Sequence, residues 1–552
     1  MVYCGKPSKA CAECRVRRTK CDTLTPSCSQ CIRAGRTCTG YRSESDLMFR
    51  DQTNHYAKKS RSENESVVVV SKRKRKPARS VELVEPTPPS TATQLMQMAT
   101  CIPFPFELHT PVGDQAACYF FRNYVLDDSS TNGPFQYLNS IYNNEIIGPA
   151  LSDSIEALGL VGLGTFWQSP EMKIQANRKY NSALRLVSSR LRSEQEAKEN
   201  QTLVAVMLLG LYETNTCSGP QSMASWTKHI MGASSLLQLR GKDCLENSIG
   251  RSLFINLRAQ INQKLRLSLT EVKVTNSIQR HVGTPDFVQE WSDYVLQFQS
   301  PTEVNASKLA DLAMEFCNLR ATMTSFHDYS NAETFIPAAV AIDAQLAEWM
   351  ANQPESMFYR TVTVKERSPH VFSDYYHVYD SMWAAATWNN CRCVRILINE
   401  IITVQLTYLR NNRNDLFELE LGLSVPLETQ LETSATTIVQ LAHDICGSVP
   451  FLLGYKEGED PTLLNTKAVT GNFLLWPLYT AAVTAMVSDV MSNWVAGRLR
   501  VIADVIGIRQ AAPLSHVLTI RKELMNMELE DMRNQSGVEY EDWTHGKLME
   551  LA

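Results

Sequence analysis

Six cysteines near the N-terminus stand at spacings suited to holding metal: Cys11, Cys14 and Cys21, then Cys28, Cys31 and Cys38. Each member of the second triplet follows its counterpart by seventeen residues, so the unit is an internal repeat of a CxxC pair and a third cysteine. A CxxC turn points two thiolates at one ion. Structural zinc prefers four ligands in a tetrahedron, and a lone triplet leaves its ion one ligand short. Two zincs satisfy their shells with six thiolates if four are terminal and two bridge both ions. The repeat symmetry makes the bridges an equivalent pair, and the first of each triplet, Cys11 and Cys28, is the natural choice. Cys4 lies outside the repeat and reads as a spare thiol.

Two Zn²⁺ ions and six thiolates sum to a negative cluster, which nearby cations stabilise. Arg15, Arg17, Arg18 and Lys20 supply them between Cys14 and Cys21. A short helix held by the metal would present these bases to phosphates and base edges. Two other uses of the cysteines compete. Three structural disulfides would need an oxidising compartment, and no secretion signal opens the chain. A zinc-folded module that binds protein instead of DNA is the stronger rival, and the dense arginines weigh against it.

The stretch from Ala10 to Cys38, ACAECRVRRTKCDTLTPSCSQCIRAGRTC, closely resembles the fungal zinc binuclear cluster, or Zn2Cys6, transcription factors. All six cysteines match, as do the basic run, Asp22 after the third cysteine and Pro26 between the halves. The resemblance implies two structural zincs bridged by the first and fourth cysteines, in agreement with the symmetry argument. It implies a nuclear factor of fungal origin that regulates RNA polymerase II transcription, with its first cluster helix in the major groove over a CGG-type triplet. Arg18 and Arg17 would then meet guanine O6 and N7, because arginine offers two donors to that edge. Arg15, Lys20, Arg33 and Arg36 would contact phosphates.

The rest of the chain must carry and control this head. The first eighty residues hold nineteen Lys or Arg against seven Asp or Glu, a net of +12, while the remainder holds 35 against 51, a net of −16. One end is built for a polyanion. With 552 residues the chain exceeds what one core usually supports. The expected layout is a small zinc cluster domain over 1–42, a disordered linker over 43–110, and a large all-α domain over 111–552.

Inside the linker, Lys72, Arg73, Lys74, Arg75 and Lys76 form a compact basic run followed by Pro77, suited to a nuclear import receptor. No sustained heptad pattern marks residues 41–66, so a monomer and a dimer paired through the body both remain open. The body shows helical periodicity and little strand-like alternation. Helices are expected near 114–126, 171–192, 306–326, 377–410, 428–446 and 472–495. Another is expected from Ser222 as cap to Gly241 as terminator, with Met223, Trp226, Ile230, Ala233, Leu236 and Leu237 on one face. The apolar run 472–488 is interrupted by Pro477 and followed by Asp489, which favours a buried helix over a membrane span.

The body also resembles, more loosely, the helical regulatory region of these factors, notably in HIMGASSLLQLRG and LLWPLYTAA. That likeness implies a domain that tunes activity through ligands or partners. Contacts with the transcription machinery are expected from acidic stretches bearing bulky apolar residues, DLFELEL at 415–421 and residues 528–543. No phosphate loop, nucleophile elbow or HExxH pair occurs. His443, Asp444 and Cys446 would not converge from one helix, and Cys391 and Cys393 lack a metal-knuckle spacing. A metabolic enzyme with a zinc appendage is accordingly the weakest alternative.

Overall fold

The computed structural model describes residues 10–38 other than 18 and 25, and residues 110–520 other than 127–132, 218–219, 276–284, 324–331, 413–422 and 456–465. Arg18, the basic run 72–76, residues 41–66 and both acidic stretches therefore lie outside the described residues. The chain divides into two compact units, Met1–Pro105 and Phe106–Ala552.

The first unit contains α1 (Ala12–Val16) and α2 (Ser29–Arg33). Among its described residues the interior consists of Cys11, Cys14, Cys28 and Cys31, with no apolar side chain fully buried beside them. Helices of five residues are far too short to be stable alone. Among the described residues, it is the cysteines that lie between them.

The second unit is a helical body. It runs through α3 (Val112–Tyr124), α4 (Tyr137–Asn144), α5 (Pro149–Phe166), α6 (Pro170–Arg190), α7 (Glu194–Ala197), α8 (Asn200–Thr216) and α9 (Pro220–Arg240). Then come α10 (Ser248–Thr275), α11 (Asp286–Leu296), α12 (Pro301–Ala321) and α13 (Ala332–Ala351). A hairpin of β1 (Tyr359–Thr363) and β2 (Tyr375–Tyr379) follows, and after it α14 (Met382–Asn412), α15 (Leu427–Leu452), α16 (Ala468–Val483) and α17 (Asp489–Val501). A last described helix covers residues 511–520.

Local chemistry explains several boundaries. Ser300 accepts from the Glu303 N–H while the Glu303 carboxylate accepts from the Ser300 N–H, and Pro301 opens the first turn of α12. Ser169, followed by Pro170, and Ser488 cap α6 and α17 by accepting the Met172 and Met491 N–H. Gly241, at φ 76°, ends α9 as its position suggested. Helices α3 and α5 pack at backbone distance, since a Cβ on Gly159 would lie 1.9 Å from the Ala116 carbonyl oxygen. Long α14 runs through the core with α13, α15 and α16 against it.

Three expectations need correction. The helix expected to start at 377 begins at Met382, and residues 375–379 pair antiparallel with β1, Thr361 opposite His377. The run YYHVY is aromatic and β-branched, and it buries one face on α15. The helix expected over 472–495 is two, because the chain turns between Val483 and the Ser488 cap. Ser222 does not cap α9, which has already begun at Pro220; Trp226, Ile230, Ala233, Leu236 and Leu237 are buried as expected. Among the described residues no helix is long and apolar enough to cross a membrane, and α16 is buried in the body.

Candidate metal centre and nucleic-acid interface

The two halves of the cysteine repeat fold alike. In each, the first cysteine's sulfur accepts the N–H three residues on: Cys14 N to Cys11 Sγ and Cys31 N to Cys28 Sγ, both 3.4 Å. A second pair of bonds, Thr19 N to the Cys14 carbonyl and Arg36 N to the Cys31 carbonyl, keeps the seventeen-residue offset. The sequence repeat is thus a repeat of two turns that aim thiols inward.

All six cysteines converge. One tetrad comprises Cys11, Cys14, Cys21 and Cys28, and the other Cys11, Cys28, Cys31 and Cys38, with the sulfurs of each within 4.8 Å of one another. Cys11 and Cys28 belong to both. Their sulfurs lie 3.7 Å apart, as do those of Cys14 and Cys28, and Cys11 to Cys31 is 3.8 Å. A disulfide would bring sulfurs to about 2.05 Å, and all six cysteines are free thiols. A tetrahedron with Zn–S bonds of about 2.3 Å has sulfurs about 3.8 Å apart. The donor set suits two zinc ions in both chemistry and spacing.

Without metal, Cys11, Cys28 and Cys31 are shifted toward the protonated thiol. Although the Cys31 N–H favours a thiolate at Cys28, burial and the crowded neighbouring thiols push its pKa up to about 12. Cys11 is raised in the same way, its bond from the Cys14 N–H being outweighed. Cys21 is lowered, chiefly by a backbone N–H of Cys11. A bound divalent cation reverses the balance by deprotonating coordinating thiols outright.

Asp22 plays a part that its sequence position alone did not disclose. Both carboxylate oxygens accept the Ser29 N–H at 3.2 Å, so the residue after the third cysteine ties the first half to the start of α2. Its carboxyl is held below the usual range, first by the Ser29 side chain and then by that N–H. An acidic residue seven positions before a helix start was visible; the loop that closes the distance was not.

The bases do not repeat as the thiols do. Seventeen residues beyond Arg15, Arg17 and Arg18 stand Ile32, Ala34 and Gly35. Positive charge is therefore concentrated on the first half. Arg17, Lys20, Arg33 and Arg36 are exposed, and Arg15 lies on α1. Arg17 faces Glu13 one helical turn away at 3.7 Å, an exposed pair weak enough to exchange for phosphate.

In the body, His443, Asp444 and Cys446 diverge. His443 packs on Phe372 and Cys446 is fully buried, while Asp444 faces His377 of β2 at 3.7 Å and Arg392 of α14 at 4.0 Å. Arg392 is itself fully buried, donating to Tyr379 Oη and Asn389 Oδ1 and lying over Tyr359 and Trp388. This cluster was missed in the sequence because its members are spread from Tyr359 to Asp444. Burial pushes the Cys391 thiol up to about 12, keeping it unreactive.

Two families match the chain. Residues 9–47 match the fungal Zn(2)-Cys(6) binuclear cluster domain, and residues 107–309 match the fungal specific transcription factor domain. An uncharacterized protein of Emericella nidulans is 26% identical over 157 residues, 27% of this chain and 33% of that protein. The chain thus spans about a third of that relative's length. No solved structure matches.

Proposed function

From a chain that carries a fungal Zn(2)-Cys(6) binuclear cluster ahead of a fungal specific transcription factor domain, we infer a nuclear regulator of RNA polymerase II transcription that reads CGG-type sites in duplex DNA. The observation that carries this reading is the pair of cysteine tetrads sharing Cys11 and Cys28, with four of the six candidate bases on the first half. Two zincs would be held there, Cys11 and Cys28 bridging and the other four cysteines terminal. The metal supplies the cross-link that an apolar core would supply elsewhere, and with four protein thiolates per ion it has no open position for catalysis.

On this reading α1 enters the major groove. Arg17 and Arg18 donate to guanine O6 and N7, and Arg15, Lys20, Arg33 and Arg36 hold phosphates. The basic run 72–76 engages the import receptor, and the acidic stretches at 415–421 and 528–543 meet the transcription machinery. The chain acts by binding and not by turnover.

The test is selection from a random duplex pool by the zinc-loaded full chain, with a chelated control. Enriched CGG triplets that vanish on chelation are the expected result, and their single or paired occurrence reports monomer or dimer. Arg18→Ala should relax the preference by about 1–3 kcal/mol per triplet while leaving two zincs bound. A folded, zinc-loaded cluster that enriches no sequence would point to a protein-binding module instead.

A further inference from the structure

The helical body contains a partly open cavity of about 340 Å³, within the size range of small-molecule sites. Small residues hollow it from two sides: Ala306, Ala310 and Ala313 form one stripe of α12, and Ala386 begins a stripe of α14. Bulky Trp226, Trp383 and Trp476 stand around the space, from α9, α14 and α16.

The described tryptophans differ in what their indole N–H meets, and Trp167 and Trp291, away from the cavity, make no hydrogen bond from theirs among the described residues. Trp349, Trp388 and Trp494 donate their indole N–H to the carbonyls of Asn305, Met357 and Pro369, at 2.8, 2.7 and 3.1 Å. Those at the cavity have no protein acceptor for theirs among the described residues, and none of the three N–H groups is sealed from access. Tryptophan in a protein interior usually finds such a partner. The wall is therefore built with flat aromatic side chains whose N–H groups make no protein hydrogen bond among the described residues.

Its two charged residues already have partners of their own. Arg258, one of the two charged residues on the wall, is buried and donates to Ser292 and Ser307 at 3.0 and 2.9 Å, with Asp311 at 3.9 Å. The other, Glu303, is bound into the cap of α12. With one base and one acid, each already in contacts of its own, the wall carries no net charge that would call for an ionic guest.

We propose that this cavity is a binding site for a neutral, ring-bearing small molecule that carries oxygen acceptors, its rings lying against the tryptophans and its oxygens accepting from their N–H groups. The proposal concerns the body alone, so it stands or falls separately from DNA reading by the cluster.

The neutral naphthalene ketone prodan has the required chemistry and reports its surroundings by emission colour. The full chain should bind it saturably at one site, with blue-shifted emission and quenched tryptophan fluorescence, and chelating the zinc should leave binding unchanged. Ala306→Phe and Ala386→Leu, which fill the hollow from different helices, should each weaken binding at least tenfold without lowering the melting temperature. Trp476→Phe keeps an aromatic face and should weaken it several-fold, whereas Trp494→Phe should not. Absence of saturable binding by the full chain would overturn the proposal. So would an affinity insensitive to Trp476→Phe and to whichever filling variants fold.

Discussion

Cys11 and Cys28 sit in both tetrads and Cys38 in one, so the six thiols are not equivalent. Structural zinc in small domains contributes on the order of 10–16 kcal/mol of binding free energy that is also folding free energy. Among the described residues of the first unit the buried interior is four cysteines, with no apolar core of that size beside them. Cys28→Ser should therefore leave no zinc bound, while Cys38→Ser should keep the ion held by Cys11, Cys14, Cys21 and Cys28. Native mass spectrometry of the full chain reads the difference directly, and two zincs retained by Cys28→Ser would refute the bridging assignment.

The β1–β2 hairpin, α14 and α15 together bury a charged cluster, and their packing depends on its ionisation. Burial works against the Asp444 carboxylate, but the facing His377 ring and the Arg392 charge outweigh it and hold its pKa below the ordinary value. A carboxyl depressed in the folded state contributes stability that is fully present above its unfolded pKa of about 3.9 and is lost as pH falls through the folded value. The melting temperature of the body should consequently drop more steeply below about pH 4 for the natural chain than for Asp444→Asn. At pH 7 the variant should melt lower, because Arg392 stays buried without its countercharge. Parallel pH slopes in the two proteins would remove Asp444 from the account.

For the molecule as a whole, stability is divided between unlike sources. The first unit depends on metal ligation, and the second on a large apolar core threaded by α14. Chelation should abolish DNA binding while leaving the helical circular dichroism and melting of the body nearly unchanged, since α1 and α2 contribute only five residues each. A chelator that melted the body would show that the two units fold as one. The charge division, +12 in the first eighty residues and −16 in the rest, also predicts DNA affinity that falls steeply with salt.

The metal site was legible in the sequence because its information is local. A repeat of seventeen residues, the CxxC turns and the coordination number of zinc together chose Cys11 and Cys28 as the shared pair, and the fold places those two in both tetrads. Helix existence was legible for the same reason, since 3.6-residue periodicity is a property of each segment, as in α9 with its buried Trp226, Ile230 and Leu237. Boundaries that depend on neighbours were not. Residues 377–379 continue a helical pattern on paper but pair with Tyr359–Thr361, because a hairpin partner and the face of α15 satisfy them better. The meeting of His377, Arg392 and Asp444, the anchoring of Trp349, Trp388 and Trp494 on distant carbonyls, and the hollow lined by Ala306 and Ala386 belong to tertiary structure alone. Each requires segments distant in the chain to pack together, and no local spacing records which of them will meet.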